Sequence, residues 1–194
     1  MGRPNLSERR RGELIGTVAA TFAELGYRRT TTAVLAERCG VQEVILYRLW
    51  PDKQAMFVAA IEFVGSNSER IWQDVLARSA DAGTGAERVL AYEATHLGEF
   101  GLYRILFAGL SEMDDPAIAS AMRQVYARFL RFISTQVRAH RRAHGERGRL
   151  PSPELTAWAL LGLGTAANLS RELNLLGESA RKRLIAAVGR RLLG

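Results

Sequence analysis

The chain has 194 residues, of which 47% are hydrophobic and 24% charged, and these ordinary globular values exclude a fibrous or wholly disordered protein. Its longest nearly uncharged apolar run, 155–169, is shorter than the roughly 18 residues that span a bilayer, and no apolar stretch of a secretory signal follows the basic start. The single cysteine, Cys39, and the net charge of +7 lead us to expect a cytoplasmic protein that binds a polyanion, with nucleic acid and anionic membrane both open at this point.

The hydrophobic pattern is helical throughout. Apolar residues recur with a period near 3.6, and the two-residue alternation that is typical of strands is absent. The sequence therefore predicts an all-α fold of about nine helices, with an N-terminal three-helix domain at residues 1–52 and a C-terminal helical bundle at residues 53–194.

The stretch 30–53 predicts a helix-turn-helix followed by a supporting helix. Thr31 or Thr32 caps the first of these helices, Gly40 supplies the turn, and the next helix covers about 42–49.

Further helix starts are marked by Asp52 and by the run Asp114-Asp115-Pro116. The remaining helices are predicted at about 53–77, 87–98, 100–110, 116–144, 154–175 and 179–193.

Several separate pieces of the first quarter of the chain match one family. They are FAELGY at 22–27, a threonine pair, LAERCGV at 35–41, LYR at 46–48 and Pro-Asp-Lys at 51–53. Together these pieces resemble the tetracycline-repressor (TetR) family of bacterial transcription regulators. The resemblance implies a homodimer whose N-terminal domains enter the major groove of double-stranded DNA, and whose C-terminal domains hold an effector pocket and the dimer interface.

The helix at 42–49 supplies the candidates for base contact, because side chains near its amino end and on its outer side would reach base edges. Glu43 can accept from a cytosine amine, Ile45 can contact a thymine methyl, and Arg48 can pair with guanine or a phosphate. A solvated or packing role is the alternative for Glu43 and Ile45. The family resemblance adds contacts to the DNA backbone from Tyr47 and Lys53. The full candidate set for DNA binding is Arg28, Arg29, Thr31, Thr32, Gln42, Glu43, Val44, Ile45, Tyr47, Arg48 and Lys53.

Four positions depart from the family pattern. Gln42 stands where a capping serine or threonine is usual, and Ile45 where a small or hydroxyl residue is usual. Leu49 replaces a polar residue that often contacts phosphate, and Trp50 replaces the commonest phenylalanine. These departures leave the operator sequence open and argue against a phosphate contact from position 49.

Aromatic residues concentrate on the middle helices. They either form the core of the bundle or surround a mostly apolar cavity with a few polar groups, as small-molecule sites do. We expect an unidentified small effector that is apolar or aromatic and that can be weakly anionic. The candidate effector pocket comprises Trp72, His96, Phe100, Tyr103, Phe107, Tyr126, Phe129, Trp158 and Asn168.

The run LLGLGTAANL at 160–169 places small residues on one helical side, where a second helix can approach closely. Packing within the chain is the alternative. The candidate dimer interface comprises Gly162, Ala166, Leu173, Leu184 and Val188.

Metal and enzyme sites have weaker signals. Glu93 and His96 have the spacing of a ligand pair in di-metal bundles, but the second pair that such a site needs is missing. His140 and His144 are four residues apart, with two arginines between them that repel a cation. Serine-nucleophile, P-loop and dinucleotide signatures are absent, so no catalytic residue, metal or cofactor is expected.

The sequence therefore predicts a homodimeric, ligand-responsive DNA-binding regulator without a membrane partner. We expect a repressor that its effector releases from a palindromic operator. The first alternative is a helical-bundle DNA-binding or interaction protein without small-molecule control, and the second is a bundle metalloenzyme.

Overall fold

The computed structural model describes residues 6–78, 83–99, 101–145 and 150–194. Within these ranges the chain forms nine α-helices and no strand, which confirms the predicted fold class. None of the described helices combines the length and the hydropathy needed to cross a membrane. The helices are α1 (Leu6–Leu25), α2 (Thr32–Cys39), α3 (Glu43–Leu49), α4 (Lys53–Ala77), α5 (Gly85–His96), α6 (Arg104–Leu110), α7 (Pro116–His144), α8 (Pro153–Glu172) and α9 (Glu178–Leu193).

Several helices begin at a capping side chain that the sequence marks. Thr31 accepts a hydrogen bond of 3.2 Å from a backbone N–H in the first turn of α2. Asp52 accepts one of 2.7 Å in the first turn of α4. Asp115 accepts two, at 2.9 and 3.1 Å, in the first turn of α7. These bonds satisfy N–H groups that have no partner inside the helix.

Two helix starts differ from the sequence prediction by more than one residue. The sequence predicts a helix over 100–110, whereas α6 begins at Arg104. Gly101 has a φ of +66°, and its carbonyl accepts a 3.1 Å bond from the N–H of Arg104, so turns precede the helix. α5 begins two residues early, at Gly85, because Thr84 and Glu87 form a reciprocal capping box.

The turn between α2 and α3 depends on a left-handed glycine. Gly40 has a φ of 64° and a ψ of 34°. The N–H of Val41 reaches back to the carbonyl of Ala36 at 3.0 Å, and the N–H of Gly40 bonds the carbonyl of Glu37 at the same distance. These bonds close α2 on carbonyls that would otherwise be unpaired and direct the chain into α3.

The chain divides into two compact units, and the first comprises the described residues within 1–67 and 100–125. Its core contains aromatic rings from α1, the following loop and α4: Phe22 and Phe57 meet edge to face with centroids 4.9 Å apart, and Tyr27 lies 4.8 Å from Phe57. Leu35 of α2 and Leu46 of α3 are completely buried. The helix-turn-helix therefore packs on α1, which in turn contacts the start of α4 through aromatic rings.

The second unit comprises residues 68–99 and 126–194, and in it both α5 and α8 pack against α9. Ala86, Val137 and Leu193 form a buried apolar cluster. The buried guanidinium of Arg141 donates to the carbonyl of Pro151 at 2.7 Å, so this cation is paired with main-chain oxygen at the start of α8.

The predicted domain boundary between residues 52 and 53 coincides with the start of α4. The compact units instead divide α4 after Asn67 and α7 after Val125. The units follow packing, whereas the predicted boundary separates two functions, so that boundary stays a prediction.

Replacing Gly40 with alanine should lower the free energy of unfolding by about 1 kcal/mol, because a Cβ disfavours the left-handed backbone. Gly12→Ala is the matched control. Gly12 lies inside α1 and a Cβ there would meet no atom within 4 Å, so alanine should stabilise the helix by about 0.5 to 1 kcal/mol. Urea denaturation followed by circular dichroism measures both changes, and a shift of the same sign in the two variants would contradict the role given to Gly40.

Candidate DNA-binding surface

α3 has a buried side and a solvent side. Leu46 and Leu49 are 0% and 5% exposed, and Trp50, which ends the helix, is 6% exposed. The exposed residues of this segment are Gln42, Glu43, Val44, Tyr47 and Arg48. A short helix that follows a tight turn and presents one continuous side to solvent has the geometry of a recognition helix.

Two residues of α3 bear on the sequence prediction through their burial. Ile45 is half-buried, so only part of its side chain faces solvent. Leu49 is buried in the core of the first unit, away from the surface where a phosphate would bind. Gln42 occupies the N-cap position of α3, but its side chain makes no capping hydrogen bond.

Glu43 belongs to a chain of hydrogen bonds between α2 and α3. The hydroxyl of Thr32 donates to Glu43 Oε2 at 2.6 Å and accepts from the hydroxyl of Tyr47 at 3.2 Å. A hydroxyl can donate and accept at once, so Thr32 joins the other two side chains. The sequence predicts all three residues as DNA contacts but does not reveal that their side chains are hydrogen-bonded to one another.

The basic pair at 28–29 is engaged within the first unit. Arg28 makes a two-pronged contact with Glu112, at 2.8 and 3.3 Å, and Arg29 Nε donates to the carbonyl of Leu25 at 2.9 Å. The Arg28 side chain is 75% exposed, so solvent screens its ion pair and phosphate can compete for it. Glu112 lies 84 residues from Arg28, and no local pattern signals the pair.

Lys53 is anchored at the first residue of α4. Its Nζ donates to the carbonyl of Tyr27 at 3.2 Å and lies 4.4 Å from the centroid of the Tyr27 ring. An ammonium group has three N–H donors, so two remain for a phosphate. The contact with Tyr27 fixes the position of the charge.

Arg48 differs from the other cations of this surface. It is exposed, and it has no hydrogen bond or ion pair to another residue in the described part of the chain. Thr31, by contrast, uses its hydroxyl as the N-cap of α2. Arg48 therefore presents its full set of five N–H donors to solvent.

Sequence reasoning misses one arginine that supports this surface. Arg11 of α1 donates from Nε to the carbonyl of Leu49 at 2.7 Å, across 38 residues of sequence. The bond satisfies a carbonyl in the last turn of α3, which has no partner within the helix. Arg11 therefore helps to position α3.

In the second unit, three of the predicted effector-pocket residues, Trp72, Tyr126 and Phe129, meet in an aromatic cluster. The Trp72 ring lies 5.2 Å from Phe129 and 5.1 Å from Phe132, and Tyr126 lies 6.3 Å from Phe129. Trp72 Nε1 donates to Glu93 Oε1 at 2.6 Å. Burial raises the pKa of the Glu93 carboxyl, although the bond from Trp72 opposes the shift.

The other aromatic candidates occupy different places. His96 stacks on Tyr92 in the second unit, with ring centroids 4.2 Å apart. Tyr103 and Phe107 meet each other in the first unit at 5.7 Å. Phe100 lies outside the described residues.

Asn168 is a buried polar residue of α8. It is 7% exposed, and its Oδ1 has no hydrogen-bond partner among the described residues. Arg171, three residues later on the same side of the helix, donates to the carbonyl of Leu97 at 2.7 Å. Asn168 therefore lies on the side of α8 that faces the carboxyl end of α5.

An apolar stripe runs along the solvent side of α8. Leu155, Trp158, Leu169 and Leu173 are 63%, 55%, 51% and 56% exposed. The sequence assigns Trp158 to the effector pocket, and this exposure contradicts an enclosed position for it within the chain.

The predicted interface residues lie on this stripe or on α9, which packs against α8. Gly162 and Ala166 are exposed between Trp158 and Leu169, and a Cβ at Gly162 would meet no atom within 4 Å. On α9, Val188 is 39% exposed and Leu184 is half-buried. Small and apolar side chains therefore face solvent together.

The histidines that the sequence weighs as metal ligands have protein partners. His96 Nδ1 lies 3.0 Å from the carbonyl of Tyr92, and His140 Nδ1 lies 2.8 Å from the hydroxyl of Thr84. Burial lowers the pKa of His140. The described ranges contain no group of three or more potential metal ligands.

Comparison with known proteins agrees with this geometry. The family model of bacterial regulatory proteins of the tetR family matches residues 15–60, which lie within α1 to α4. Nucleoid occlusion factor SlmA from Pasteurella multocida is 31% identical over 147 residues, covering 73% of this chain and 72% of that protein. SlmA from Haemophilus influenzae strain PittGG is 43% identical over 61 residues, or 31% of this chain, and the alignment spans only 28% of that relative's length.

Solved structures extend the similarity to the whole chain. The TetR-family transcriptional regulator from Cytophaga hutchinsonii superposes with a TM-score of 0.80, covering 99% of this chain and 96% of that chain, at 18% identity. At this sequence identity the superposition shows only that the two chains share a fold. The family match to the helix-turn-helix and the long alignment with the Pasteurella relative add the evidence of sequence. The chain therefore belongs to the TetR family of bacterial DNA-binding transcriptional regulators.

Proposed function

We propose that this regulator is a homodimeric repressor that a small apolar or aromatic effector releases from a palindromic operator. The solvent side of α3 carries the DNA-binding part of the proposal. Its exposed polar and apolar side chains follow the Gly40 turn, while Leu46 and Leu49 hold the opposite side in the core.

The outward side chains of α3 are the proposed base contacts. Arg48 has N–H donors for guanine, and the carboxylate of Glu43 has acceptor capacity beyond its bond from Thr32 for a cytosine amine. Gln42 can pair with adenine. Val44 is 47% exposed and takes the contact with a thymine methyl that the sequence assigns to the half-buried Ile45.

The proposed contacts to the DNA backbone surround α3. Lys53 retains two N–H donors for phosphate, whereas Tyr47 would exchange its bond to Thr32 for a phosphate oxygen. Thr31 lies at the amino end of α2. Arg28 and Arg29 would exchange their present bonds, to Glu112 and to the Leu25 carbonyl, for phosphate oxygens. Such contacts set register without reading sequence.

The α8 stripe supports a homodimer. From Leu155 to Leu173 it runs about 27 Å at about 1.5 Å per residue, and an exposed apolar surface of this kind marks a protein interface. Trp158 joins the interface in this proposal, with Gly162 and Ala166 allowing close helix approach. A two-fold pair would present two α3 helices to half-sites roughly 34 Å apart, or a multiple of that spacing.

Asn168 and the aromatic cluster support the proposal that a small effector binds in the second unit. A buried carbonyl oxygen without a donor costs about 1 to 3 kcal/mol, and an N–H or O–H group on a ligand would recover that free energy. Trp72 and Phe129 offer aromatic surface. Because burial favours the neutral form of Glu93, this carboxyl creates no strong demand for a cationic ligand.

Contacts inside the first unit support coupling between the effector and DNA. Arg28 pairs with Glu112, which follows α6, and the side chain of Gln54 on α4 bonds Asp115, the cap of α7. A shift of α6 or of the start of α7 would therefore move the helices that carry the DNA contacts. Linkage is reciprocal, so operator DNA must weaken effector binding by the same factor as effector weakens DNA binding.

A second candidate function is DNA binding without small-molecule control. The Pasteurella relative, which is 31% identical and covers 73% of this chain, is named a nucleoid occlusion factor. That name does not describe effector-controlled repression, so it favours the alternative. Under this candidate no small molecule changes the affinity for DNA.

In vitro selection from random duplex DNA should return a palindrome. On that site Arg48→Ala should cost about 1 to 3 kcal/mol and relax preference at one position of each half-site. Lys53→Ala should weaken binding to all sequences by a similar factor and lower the salt slope by about 1, because it removes one phosphate contact.

Thermal unfolding of both variants comes first as a control, since Lys53→Ala also removes the contacts to Tyr27. A selected consensus without two-fold symmetry would contradict the proposed palindromic operator. The same pattern of affinity loss in the two variants would contradict the assignment of Arg48 to a base contact and Lys53 to a phosphate contact.

Leu169→Glu should convert the dimer to a monomer at micromolar concentration, because it places a charge in the middle of the proposed apolar interface. Val44→Glu is the matched control: Val44 is 47% exposed, against 51% for Leu169, and lies on α3. Sedimentation velocity reports the mass of each variant. A Leu169→Glu protein that remained a dimer would place the interface elsewhere.

Asn168→Leu should raise the free energy of unfolding of the ligand-free protein by about 1 kcal/mol, because it removes an unpaired buried acceptor and keeps a side chain that is branched at Cγ. Ser170→Ala is the control. Ser170 is also buried, but its hydroxyl donates to the carbonyl of Ala167 at 2.8 Å, so its loss should give no gain. Urea unfolding measures both, and destabilisation by Asn168→Leu would show that the carboxamide is needed for folding.

A further inference from the structure

A basic groove in the second unit lies apart from the aromatic cluster and from the α8 stripe. Its volume is roughly 980 Å³, and residues of α5, α9 and the end of α4 line it. The cationic side chains in this lining are Arg78, Arg88, Lys182, Arg183 and Arg190. Glu87 is the one carboxylate among the described residues of the lining.

The charges in this groove are poorly balanced. Glu87 accepts from the backbone N–H of Thr84 at 2.7 Å and from its hydroxyl at 3.0 Å, so its charge serves the capping box of α5. Lys182 pairs with Glu178 at 2.8 Å. Arg183 and Arg190 have no carboxylate partner within the ranges that the structure describes. Cations that crowd one concave surface repel one another, and an anion bound among them relieves that repulsion.

Arg88 is held at the wall of the groove. One of its terminal nitrogens donates to the carbonyl of Arg78 at 2.7 Å, which ties α5 to the end of α4. Its Nε is buried and has no hydrogen-bond partner among the described residues. Arg88 therefore combines a restrained position with donor capacity that the described chain does not use.

The groove also has an apolar component. Val75, Leu90, Ala94 and Ala186 contribute aliphatic surface, and Tyr92 contributes an aromatic ring. Small-molecule sites are concave, lined largely by such groups, and occupy about 300 to 1,000 Å³. The lining thus suits a ligand with an apolar body and negative groups at its edge.

The groove would stay open in the proposed dimer. At about 100° per residue, Lys182, Ala186 and Arg190 share one flank of α9, whereas Leu184 and Val188 lie on the opposite flank. Buried Ile185 and Gly189 lie between the two flanks.

From these observations we propose that the groove binds a small organic anion that carries two or more negative groups, such as carboxylates or phosphates, on a compact apolar body. The focused positive field attracts the anion, and the aliphatic and aromatic wall accommodates its body. The proposal concerns direct binding in the second unit and does not depend on the operator, the effector or the dimer.

Isothermal titration calorimetry of the full-length protein tests it with two probes of similar shape, the dianion naphthalene-1,5-disulfonate and the neutral naphthalene-1,5-disulfonamide. The dianion should bind at least about tenfold more tightly than the neutral probe, because the cations supply most of the attraction. Equal affinities for the two probes would overturn the proposal.

The variant pair Arg183→Gln/Arg190→Gln should weaken binding of the dianion about tenfold, since both arginines are exposed in the groove lining. The matched control, Arg123→Gln/Arg131→Gln, removes the same charge from exposed positions of α7 outside the groove and should leave affinity within about twofold. Equal loss in the two pairs would mean that net charge, not the groove, attracts the probe.

A hexaglutamate peptide provides the last comparison. Binding of the peptide with no binding of the compact dianion would overturn the small-ligand proposal in favour of an acidic protein segment.

Arg88→Gln, on the wall of the groove opposite α9, should reproduce the loss of dianion binding. Unchanged affinity in that variant would exclude the assigned site.

Discussion

The inner side of α3 determines what its outer side can do. A helix of seven residues is not stable alone in water, so its packing must hold it together. Completely buried Leu46 anchors it in the core of the first unit, where α3 contacts α1 and α2, and Arg11 bonds a carbonyl of its last turn. Because these contacts fix the rotation of α3 about its axis, the side chains at 43, 44, 47 and 48 face solvent. The proposed DNA-binding surface is therefore a property of the core of the first unit as much as of the outward side chains.

Helix type and most helix ends were predictable from sequence because their causes are local. Thr31, Gly40 and Asp52 act within four residues of their own positions, and the structure has all three in capping or turn geometry. The partners of Arg28 and Glu43 were not predictable, since Glu112 is 84 residues away from Arg28 and Thr32 lies on a different helix from Glu43. The exposure of Trp158 was not predictable for the same reason, because it depends on which surfaces the folded chain covers.

The bundle breaks the usual rules of burial in two opposite ways. Asn168 places an unsatisfied oxygen inside, and Leu155 and Leu173 place large aliphatic groups outside. Each departure costs stability in the isolated chain, and each is the kind of departure that a binding partner removes. A ligand donor would satisfy the first and a second subunit would cover the others. The isolated chain is thus expected to be less stable than the assembled, liganded protein.

The three tryptophans of the chain lie in three different environments. Trp50, 6% exposed, closes the recognition helix; Trp72, 8% exposed, bonds Glu93 in the aromatic cluster; Trp158, 55% exposed, lies on the α8 stripe. Indole emission shifts to longer wavelength as water surrounds the ring, so the native protein carries one indole fluorophore at the end of α3, one in the aromatic cluster and one on the α8 stripe. Variants that retain a single tryptophan would let the helix-turn-helix, the aromatic cluster and the stripe be followed separately in solution without any attached dye.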